Sequence, residues 1–269
     1  MPITNANGVK TYYETYGDGP PLVLISGLGY DHWQWHKMAP ILAKDFRVIV
    51  YDNRGAGQSE KPAGPYTAHM LADDLADLLY KLGIKKAHVM GHSMGGFVAQ
   101  AFALDYPEML DRLILASTNF GGPHHVPITP EAMAVLTDTK SDPLERLKRG
   151  VAISTAPGFV EAHPEFLQEW VNYRAVHPID PSGYQAQLAI GLGLLSPAAA
   201  FENKLGNIKA RTLVLSAEHD KVVPPANGML MAQKIPGSLS IMLTRAGHFF
   251  PFEVPDVASK TVAEFLKNS

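Results

Sequence analysis

The sequence predicts an α/β fold in which a mostly parallel central sheet is flanked by helices and carries an inserted helical cap. Two observations support this prediction. Short apolar runs alternate along the chain with longer amphipathic segments, which is the pattern of parallel strands and their covering helices. Between residues 119 and 206 this alternation stops, and no clear buried strand is found. We therefore expect residues 1–118 and 207–269 to form the core and residues 119–206 to form the cap.

Six apolar runs have the composition of strands that are buried on both faces. Each is short, and most are rich in Val, Ile and Leu, as expected for the interior of a parallel sheet. A further segment, residues 10–16, alternates tyrosines with polar residues and predicts an antiparallel strand at the edge of the sheet. The six runs are residues 21–27 (PLVLISG), 46–52 (FRVIVYD), 87–90, 113–116, 211–216 (RTLVLS) and 239–243 (LSIML).

Helices are predicted between these strands and in the insertion. Leucines recur every three or four positions in residues 67–82, which gives this segment one apolar face. Residues 94–106 predict a helix that ends before Pro107, and residues 255–267 predict the last helix of the chain. In the insertion, helices are expected to begin near residues 142, 163 and 181, where polar or proline residues precede apolar periodicity.

Composition and charge narrow the classes of function. The 269 residues carry a net charge of −3, with 23 basic and 26 acidic residues, so we expect no nucleic acid or anionic membrane as a partner. The first residues lack the pattern of a signal peptide, and no apolar run approaches the roughly 20 residues of a membrane helix. The absence of cysteine excludes disulfides, a thiol nucleophile and thiolate metal sites. We expect a cytoplasmic protein that acts on a small molecule.

The segment GHSMGG, residues 91–96, follows one apolar run and precedes a predicted helix. A G-x-S-x-G sequence in this position is typical of a nucleophile elbow, where small residues let the strand turn sharply into the helix and leave the serine projecting. The alternative is a glycine-rich turn in which Ser93 only caps the helix. We predict that Ser93 is a nucleophile.

A serine nucleophile needs a base, and the base needs an acid that fixes its tautomer. His248 follows the last apolar run and so lies at the carboxyl end of a predicted parallel strand, where catalytic groups of such sheets gather. We predict that it is the base; the alternative is a histidine in a surface loop. Asp220 follows the preceding run and is expected to pair with His248, with Glu218 as the rival acid. His92, the neighbour of the serine, is expected to point elsewhere because successive side chains diverge.

Acyl transfer also requires N–H donors for the developing oxyanion. We expect them from Met94, directly after the serine, and from Leu28, which lies between two glycines in residues 26–30 (SGLGY). The alternative for the second segment is a plain glycine loop. His124, His125 and His219 lack the spacing of metal ligands. We expect no metal and no cofactor.

The elbow, the chain order Ser93, Asp220, His248 and the stretch DNRGAGQS at residues 52–59 together resemble the α/β-hydrolase fold superfamily, in its carboxylesterase-like serine hydrolase branch. The resemblance covers essentially the whole chain. It implies a Ser-His-Asp catalytic triad, an oxyanion hole formed by Leu28 and Met94, and a helical cap. In one departure, Ser26 stands where the family usually has histidine before the oxyanion-loop glycine, so the resemblance does not determine the shape of this loop.

These observations predict a hydrolase, specifically an esterase, that cleaves small to medium carboxylic esters through an acyl-enzyme. The same triad serves enol-lactonases and perhydrolases, and both stay open, as does a non-catalytic member that only binds a ligand. Ser93 argues against the haloalkane and epoxide branches, which use aspartate, and the short loop argues against carbon–carbon bond hydrolases. Trp170 and Tyr173 are expected to line the substrate pocket, with the core of the cap as their alternative place.

Overall fold

The computed structural model describes residues 2–138 and 140–268, and within them eight strands form one sheet. The order across the sheet is β1-β2-β4-β3-β5-β6-β7-β8; the β1–β2 and β2–β4 pairs are antiparallel, and the other five pairs are parallel. The predicted mostly parallel sheet is confirmed. The strands are β1 (Ile3–Ala6), β2 (Val9–Tyr16), β3 (Pro21–Ile25), β4 (Arg47–Tyr51), β5 (Ala87–His92), β6 (Leu110–Ala116), β7 (Arg211–Ala217) and β8 (Leu239–Leu243).

The central strands are buried on both faces, which explains their continuous apolar sequences. Two details of the sheet differ from the prediction. β2 is the second strand rather than the edge, because β1 pairs with its outer side. β8 was expected to be buried, yet four of its five residues are exposed because it lies at the other edge with β7 on one side only.

Helices cover both faces of the sheet, so the predicted flanking helices are confirmed. The helix at residues 68–81 begins after Thr67, whose side chain accepts a hydrogen bond from the N–H of Met70. The helices are α1 (Ala39–Leu42), α2 (Ala68–Lys81), α3 (Met94–Asp105), α4 (Pro130–Leu136), α5 (Pro143–Ser154), α6 (Phe159–Ala162), α7 (Pro164–Val176), α8 (Pro181–Gly193), α9 (Ala226–Lys234), α10 (Phe250–Glu253) and α11 (Pro255–Lys267).

The apolar core lies on the two faces of the sheet. On one face, α2 and α3 pack over side chains such as Val23 and Val89. On the other face, α1 and α11 pack over side chains such as Leu24 and Met90. None of the helices in the described ranges is long and apolar enough to cross a membrane.

The helices α4–α8 lie between β6 and β7, in the segment that the sequence marked as an insertion. Side chains cap three of them: Thr129 accepts from the N–H of Ala132 in α4, Asp142 from the first N–H groups of α5, and Asp180 from the N–H of Gly183 in α8. A separate apolar cluster joins this insertion to the C-terminal region of the core. It consists of Val151, Phe166, Trp170, Phe249 and Phe252.

Candidate active site

Ser93 occupies the sharp turn between β5 and α3. Its backbone has φ +56° and ψ −121°, a conformation that residues with a Cβ rarely adopt. The neighbouring glycines are required by space: a Cβ at Gly91 would overlap the carbonyl oxygen of Gly95, and a Cβ at Gly95 would overlap that of Ile25. The Ser93 side chain makes no capping hydrogen bond to α3. The geometry therefore favours a projecting serine over a helix cap.

The backbone of Ser93 is held from the neighbouring strand. Its N–H donates to the carbonyl oxygen of Ala116 at 3.0 Å, and its own carbonyl accepts from the Thr118 hydroxyl at 2.8 Å. Ala116 is the last residue of β6, and Thr118 lies in the loop that follows it. These bonds fix the strained turn in place.

His248 and Asp220 form a buried pair at the same end of the sheet. The Nδ1 of His248 lies 2.8 Å from Oδ2 of Asp220, and the other carboxylate oxygen accepts the N–H groups of Val222 and Val223 at 2.9 and 2.7 Å. With Nδ1–H donating to the carboxylate, Nε2 of His248 carries the free lone pair of the ring. Glu218, the rival acid, is exposed and accepts the N–H of Arg245 instead.

His92, the residue directly before Ser93, contacts His248. Among the described residues, no hydrogen bond joins the Ser93 hydroxyl to His248 directly. The ring of His92 lies with its centroid 4.7 Å from that of His248, and its Nε2 lies 2.9 Å from the His248 carbonyl oxygen. In structures without substrate, catalytic hydrogen bonds are often long or absent.

His92 was expected to point away from the site, and this expectation was wrong. Its ring is buried against His248. Burial lowers the pKa of His92 well below its usual value, and the nearby His248 lowers it further. His92 is therefore a neutral imidazole whose Nε2–H donates to a carbonyl group. Adjacency in sequence does not reveal this contact, because it depends on the path of the loop after β8.

Three successive N–H groups in the loop after β3 have different environments. The N–H of Gly27 donates to Oε1 of Gln34 at 2.9 Å, and the N–H of Gly29 donates to Oε1 of Gln187 at 2.9 Å. The N–H of Leu28, between them, has no hydrogen-bond acceptor in residues 2–138 and 140–268. Met94 is the first residue of α3, where N–H groups lack intrahelical acceptors.

A cavity of about 110 Å³ lies beside Ser93. Leu28 and Met94 contribute to its wall together with residues from α3, α8 and the loop after β7, which brings the predicted oxyanion donors and the serine together. Trp170 and Tyr173 are not among its lining residues. The cavity is lined by Leu28, Ser93, Met94, Phe97, Thr118, Gln187, Leu188, Gly191 and Val223.

Trp170 and Tyr173 lie on α7, away from this cavity wall. Trp170 is buried, with its ring centroid 4.9 Å from that of Phe249, and Tyr173 stacks on Trp33 at 4.1 Å. Phe249 and Trp33 belong to the segments expected to form the α/β core, so these two contacts lie between α7 and that core. The assignment of Trp170 and Tyr173 to the substrate pocket stays a prediction.

Glu253 is a second carboxylate near His248, and no sequence motif indicated it. Its two oxygens accept the N–H groups of Gly247 and Ala156 at 2.9 and 2.7 Å. Burial raises the pKa of Glu253 to about 7; the two N–H donors and His248 lower it, and the charge of Asp220 raises it further.

His124 pairs with Glu202. The described residues contain no group of three or more His, Cys, Asp or Glu side chains that could hold a metal ion.

Comparison with known proteins identifies the family. The family profile of the alpha/beta hydrolase fold matches residues 20–255. The chain belongs to the α/β-hydrolase fold family. As in the resemblance drawn from the sequence, this match extends over both parts of the core and the whole insertion.

Individual α/β-hydrolase relatives carry different activities in their names. A 2-hydroxy-6-oxononadienedioate/2-hydroxy-6-oxononatrienedioate hydrolase of Burkholderia vietnamiensis (strain G4) is 30% identical over 98% of this chain and 93% of that protein. The enol-lactonase from Burkholderia xenovorans LB400 has a TM-score of 0.83 at 30% identity, covering 99% of this chain and 100% of that chain. A thermophilic esterase from Thermogutta terrifontis has a TM-score of 0.83 at 29% identity, covering 98% and 97%. These relatives support a hydrolase activity without selecting the bond that is cleaved.

Proposed function

We propose that this α/β-hydrolase cleaves small to medium carboxylic esters, with Ser93 as nucleophile, His248 as general base and Asp220 as its acid partner. The observation that carries the proposal is the strained, uncapped Ser93 at a cavity whose wall also includes Leu28 and Met94. The buried His248–Asp220 pair supports the assignment of the base, because Asp220 orients Nδ1 and leaves Nε2 available.

The reaction proceeds in two acyl transfers. In the first, the hydroxyl of Ser93 gives its proton to Nε2 of His248 while its oxygen bonds to the ester carbonyl carbon. The carbonyl oxygen becomes an oxyanion, which accepts hydrogen bonds from the N–H groups of Leu28 and Met94. When the intermediate collapses, His248 returns the proton to the leaving alcohol and the acyl group stays on Ser93.

The second transfer regenerates the enzyme. A water molecule gives a proton to His248 and attacks the acyl carbon, which forms a second oxyanion in the same position. The carbon–oxygen bond to Ser93 then breaks, the serine recovers its proton, and the carboxylic acid leaves. In this proposal residues 119–206 form a cap over the active site, because Gln187, Leu188 and Gly191 of α8 close one side of the cavity.

The enol-lactonase relative favours lactones as a second substrate class. A lactone undergoes the same attack, but its alcohol stays attached to the acyl group and leaves only with the acid. The small volume of the cavity favours compact substrates of either class over polymers. Parallel assays of short p-nitrophenyl esters and of small lactones, each with purified protein, compare the two by kcat/KM.

The test of the proposal combines turnover with labelling of the serine. We expect hydrolysis of p-nitrophenyl acetate and butyrate with saturation kinetics, and covalent labelling of Ser93 by a fluorophosphonate probe. The Ser93→Ala variant should show neither. A folded protein that is neither labelled nor active on any ester or lactone would contradict the proposal and favour the non-catalytic, ligand-binding alternative.

A further inference from the structure

The loop that carries Leu28 is held by side chains from two different parts of the chain. Gln34 lies on the short 3-10 helix His32–Trp35 that follows this loop, and it accepts the N–H of Gly27. Gln187 lies on α8 of the insertion, 158 residues away from its partner Gly29. Both glutamine side chains are buried. The two N–H groups next to Leu28 are thus engaged, and the Leu28 N–H alone is left for another acceptor.

Gln187 uses both ends of its amide. Its Oε1 accepts from the N–H of Gly29 at 2.9 Å, and its Nε2 donates to the carbonyl oxygen of Arg54 at 2.8 Å. The reverse orientation of the amide would place donor against donor and acceptor against acceptor, so the two partners fix a single orientation. The side chain is completely buried, and an unpaired amide there costs about 1–3 kcal/mol.

The helix that carries Gln187 is fixed tightly to the core. The N–H of Tyr66 donates to the carbonyl oxygen of Ala186 at 3.1 Å. Gly183 lies so close to Gly55 that a Cβ on it would overlap the Gly55 carbonyl oxygen. A Cβ on Gly29 would lie 2.8 Å from the ring of Tyr184. Gln187 therefore cannot shift without disturbing either α8 or the loop.

We propose that Gln187 is a positioning residue for the oxyanion hole, which directs the Leu28 N–H into the cavity by holding the next N–H of the loop, while Gln34 holds the preceding one. This inference rests on the proposed function. It also explains how the conformation of this loop is held although Ser26 stands where the family usually has histidine. The Ser26 hydroxyl donates to the Asp31 carbonyl oxygen at 3.1 Å, and the two glutamines accept the N–H groups of Gly27 and Gly29. The insertion thereby contributes to catalysis as well as covering the cavity.

The test compares Gln187→Leu and Gln34→Leu with Gln168→Leu, a matched control on the exposed face of α7. Without the amide of Gln187, the loop gains freedom and the Leu28 N–H is no longer held in position. Because loss of one oxyanion donor costs about 10²–10³ in kcat, we expect Gln187→Leu to lower kcat by about tenfold to a hundredfold. The KM for p-nitrophenyl butyrate should change by less than about threefold, since the ground-state ester makes little use of the hole. Gln34→Leu should act in the same direction and Gln168→Leu should have no effect.

A second measurement separates positioning from loss of structure. n-Butylboronic acid forms a tetrahedral adduct with serine and places an oxygen in the oxyanion hole, whereas butyrate is a ground-state product analogue. The inhibition constant of the boronic acid should rise in parallel with the loss of kcat/KM, and that of butyrate should stay constant. All rates are normalised to sites titrated with the fluorophosphonate, so partial unfolding of one variant does not imitate the effect.

The outcomes distinguish this inference from the proposed function. If wild-type protein neither reacts with the fluorophosphonate nor hydrolyses esters, the proposed function fails. If wild type is active and Gln187→Leu keeps kcat and boronic acid affinity per titrated site, the positioning role is overturned. A loss that appears only in KM, or only in the number of titrated sites, overturns it as well. If Gln187→Leu does not fold, the same measurements on Gln34→Leu decide in the same way.

Discussion

The Nε2–H group of His92 donates a hydrogen bond to the backbone carbonyl oxygen of His248 at a distance of 2.9 Å. The residue before the proposed nucleophile thereby fixes the backbone of the proposed base. On either side, the N–H of Gly247 is held by Glu253 and the N–H of Phe249 by the carbonyl of Ser154. The loop is thus held at three successive residues, which defines the position of the imidazole before substrate arrives.

His92→Leu should lower both stability and activity. It leaves the carbonyl of His248 without a partner in a buried place, so we expect a loss of about 1–3 kcal/mol in the free energy of unfolding, with a reduced kcat. His92→Gln, which keeps an N–H donor at similar reach, should retain more of both. Urea unfolding and esterase kinetics of the two variants provide the measurement. Equal defects in both variants would contradict the role of the hydrogen bond.

Ser93 combines chemical function with backbone strain, so two substitutions should separate the effects. Ser93→Ala and Ser93→Gly both remove the nucleophile, and each should lower kcat by at least about a thousandfold. Only glycine relieves the strain at φ +56°, ψ −121°, which costs about 1–3 kcal/mol for a residue with a Cβ. After the entropic cost of glycine, we expect Ser93→Gly to be more stable than Ser93→Ala by about 1 kcal/mol in urea unfolding. An alanine variant as stable as the glycine variant would show that the turn stores no strain.

The strands and the elbow could be predicted because their signals are local. An apolar run such as residues 21–27 indicates a buried strand, and the glycines around Ser93 indicate a place where backbone segments approach closely. The same local signals misjudged β8, because an apolar run carries no information on whether a further strand lies beyond it.

The side chains that arrange the site could not be predicted because their partners are distant in sequence. Gln187 reaches Gly29 only because glycine contacts bring α8 onto the core, and Glu253 reaches Ala156 only through the turn after β8. Neither residue stands in a recognisable motif. Trp170 shows the converse problem, since its size indicates burial but does not indicate which cavity or cluster it joins.

The cavity wall predicts which side chains set the preferred acyl length. Leu188 and Gly191 lie on one face of α8 and border the cavity, and a Cβ on Gly191 would still be 3.9 Å from the ring of Phe97. Leu188→Ala should extend the range of good p-nitrophenyl esters to longer acyl chains, and Gly191→Val should shorten it. Each methylene that fits adds up to about 0.8 kcal/mol, or nearly fourfold in kcat/KM. Profiles that coincide with wild type would place the acyl group elsewhere.

Trp170→Ala tests the original expectation that this tryptophan lines the substrate pocket. Its contacts with Phe249 and Phe252 predict a large loss of stability, about 3–5 kcal/mol, with an unchanged order of preference among acyl chains. The measurement is the ratio of kcat/KM values between short and long esters, taken well below the unfolding temperature of the variant. A shift of that ratio toward longer esters would return Trp170 to the pocket.

Glu253 should make the stability of the protein depend on pH between about 4.5 and 7. Burial raises the pKa of Glu253 to about 7, above its usual value near 4.5, so the folded protein takes up a proton in this interval that the unfolded chain does not. The free energy of unfolding therefore falls as pH rises through the interval and stays at the lower value above it.

Glu253→Gln resembles the protonated acid and cannot ionise. Because the NH2 group of the glutamine would face one of the two N–H donors, the variant should be less stable than wild type near pH 5. This difference should shrink toward pH 8, by an amount on the order of 2 kcal/mol, because only wild type loses stability over the interval. Glu264→Gln, an exposed glutamate on α11, serves as the control and should leave the pH dependence unchanged. Urea unfolding of the three proteins at several pH values gives the answer, and a Glu253→Gln curve parallel to that of wild type would show that the carboxylate between Gly247 and Ala156 is ionised without cost.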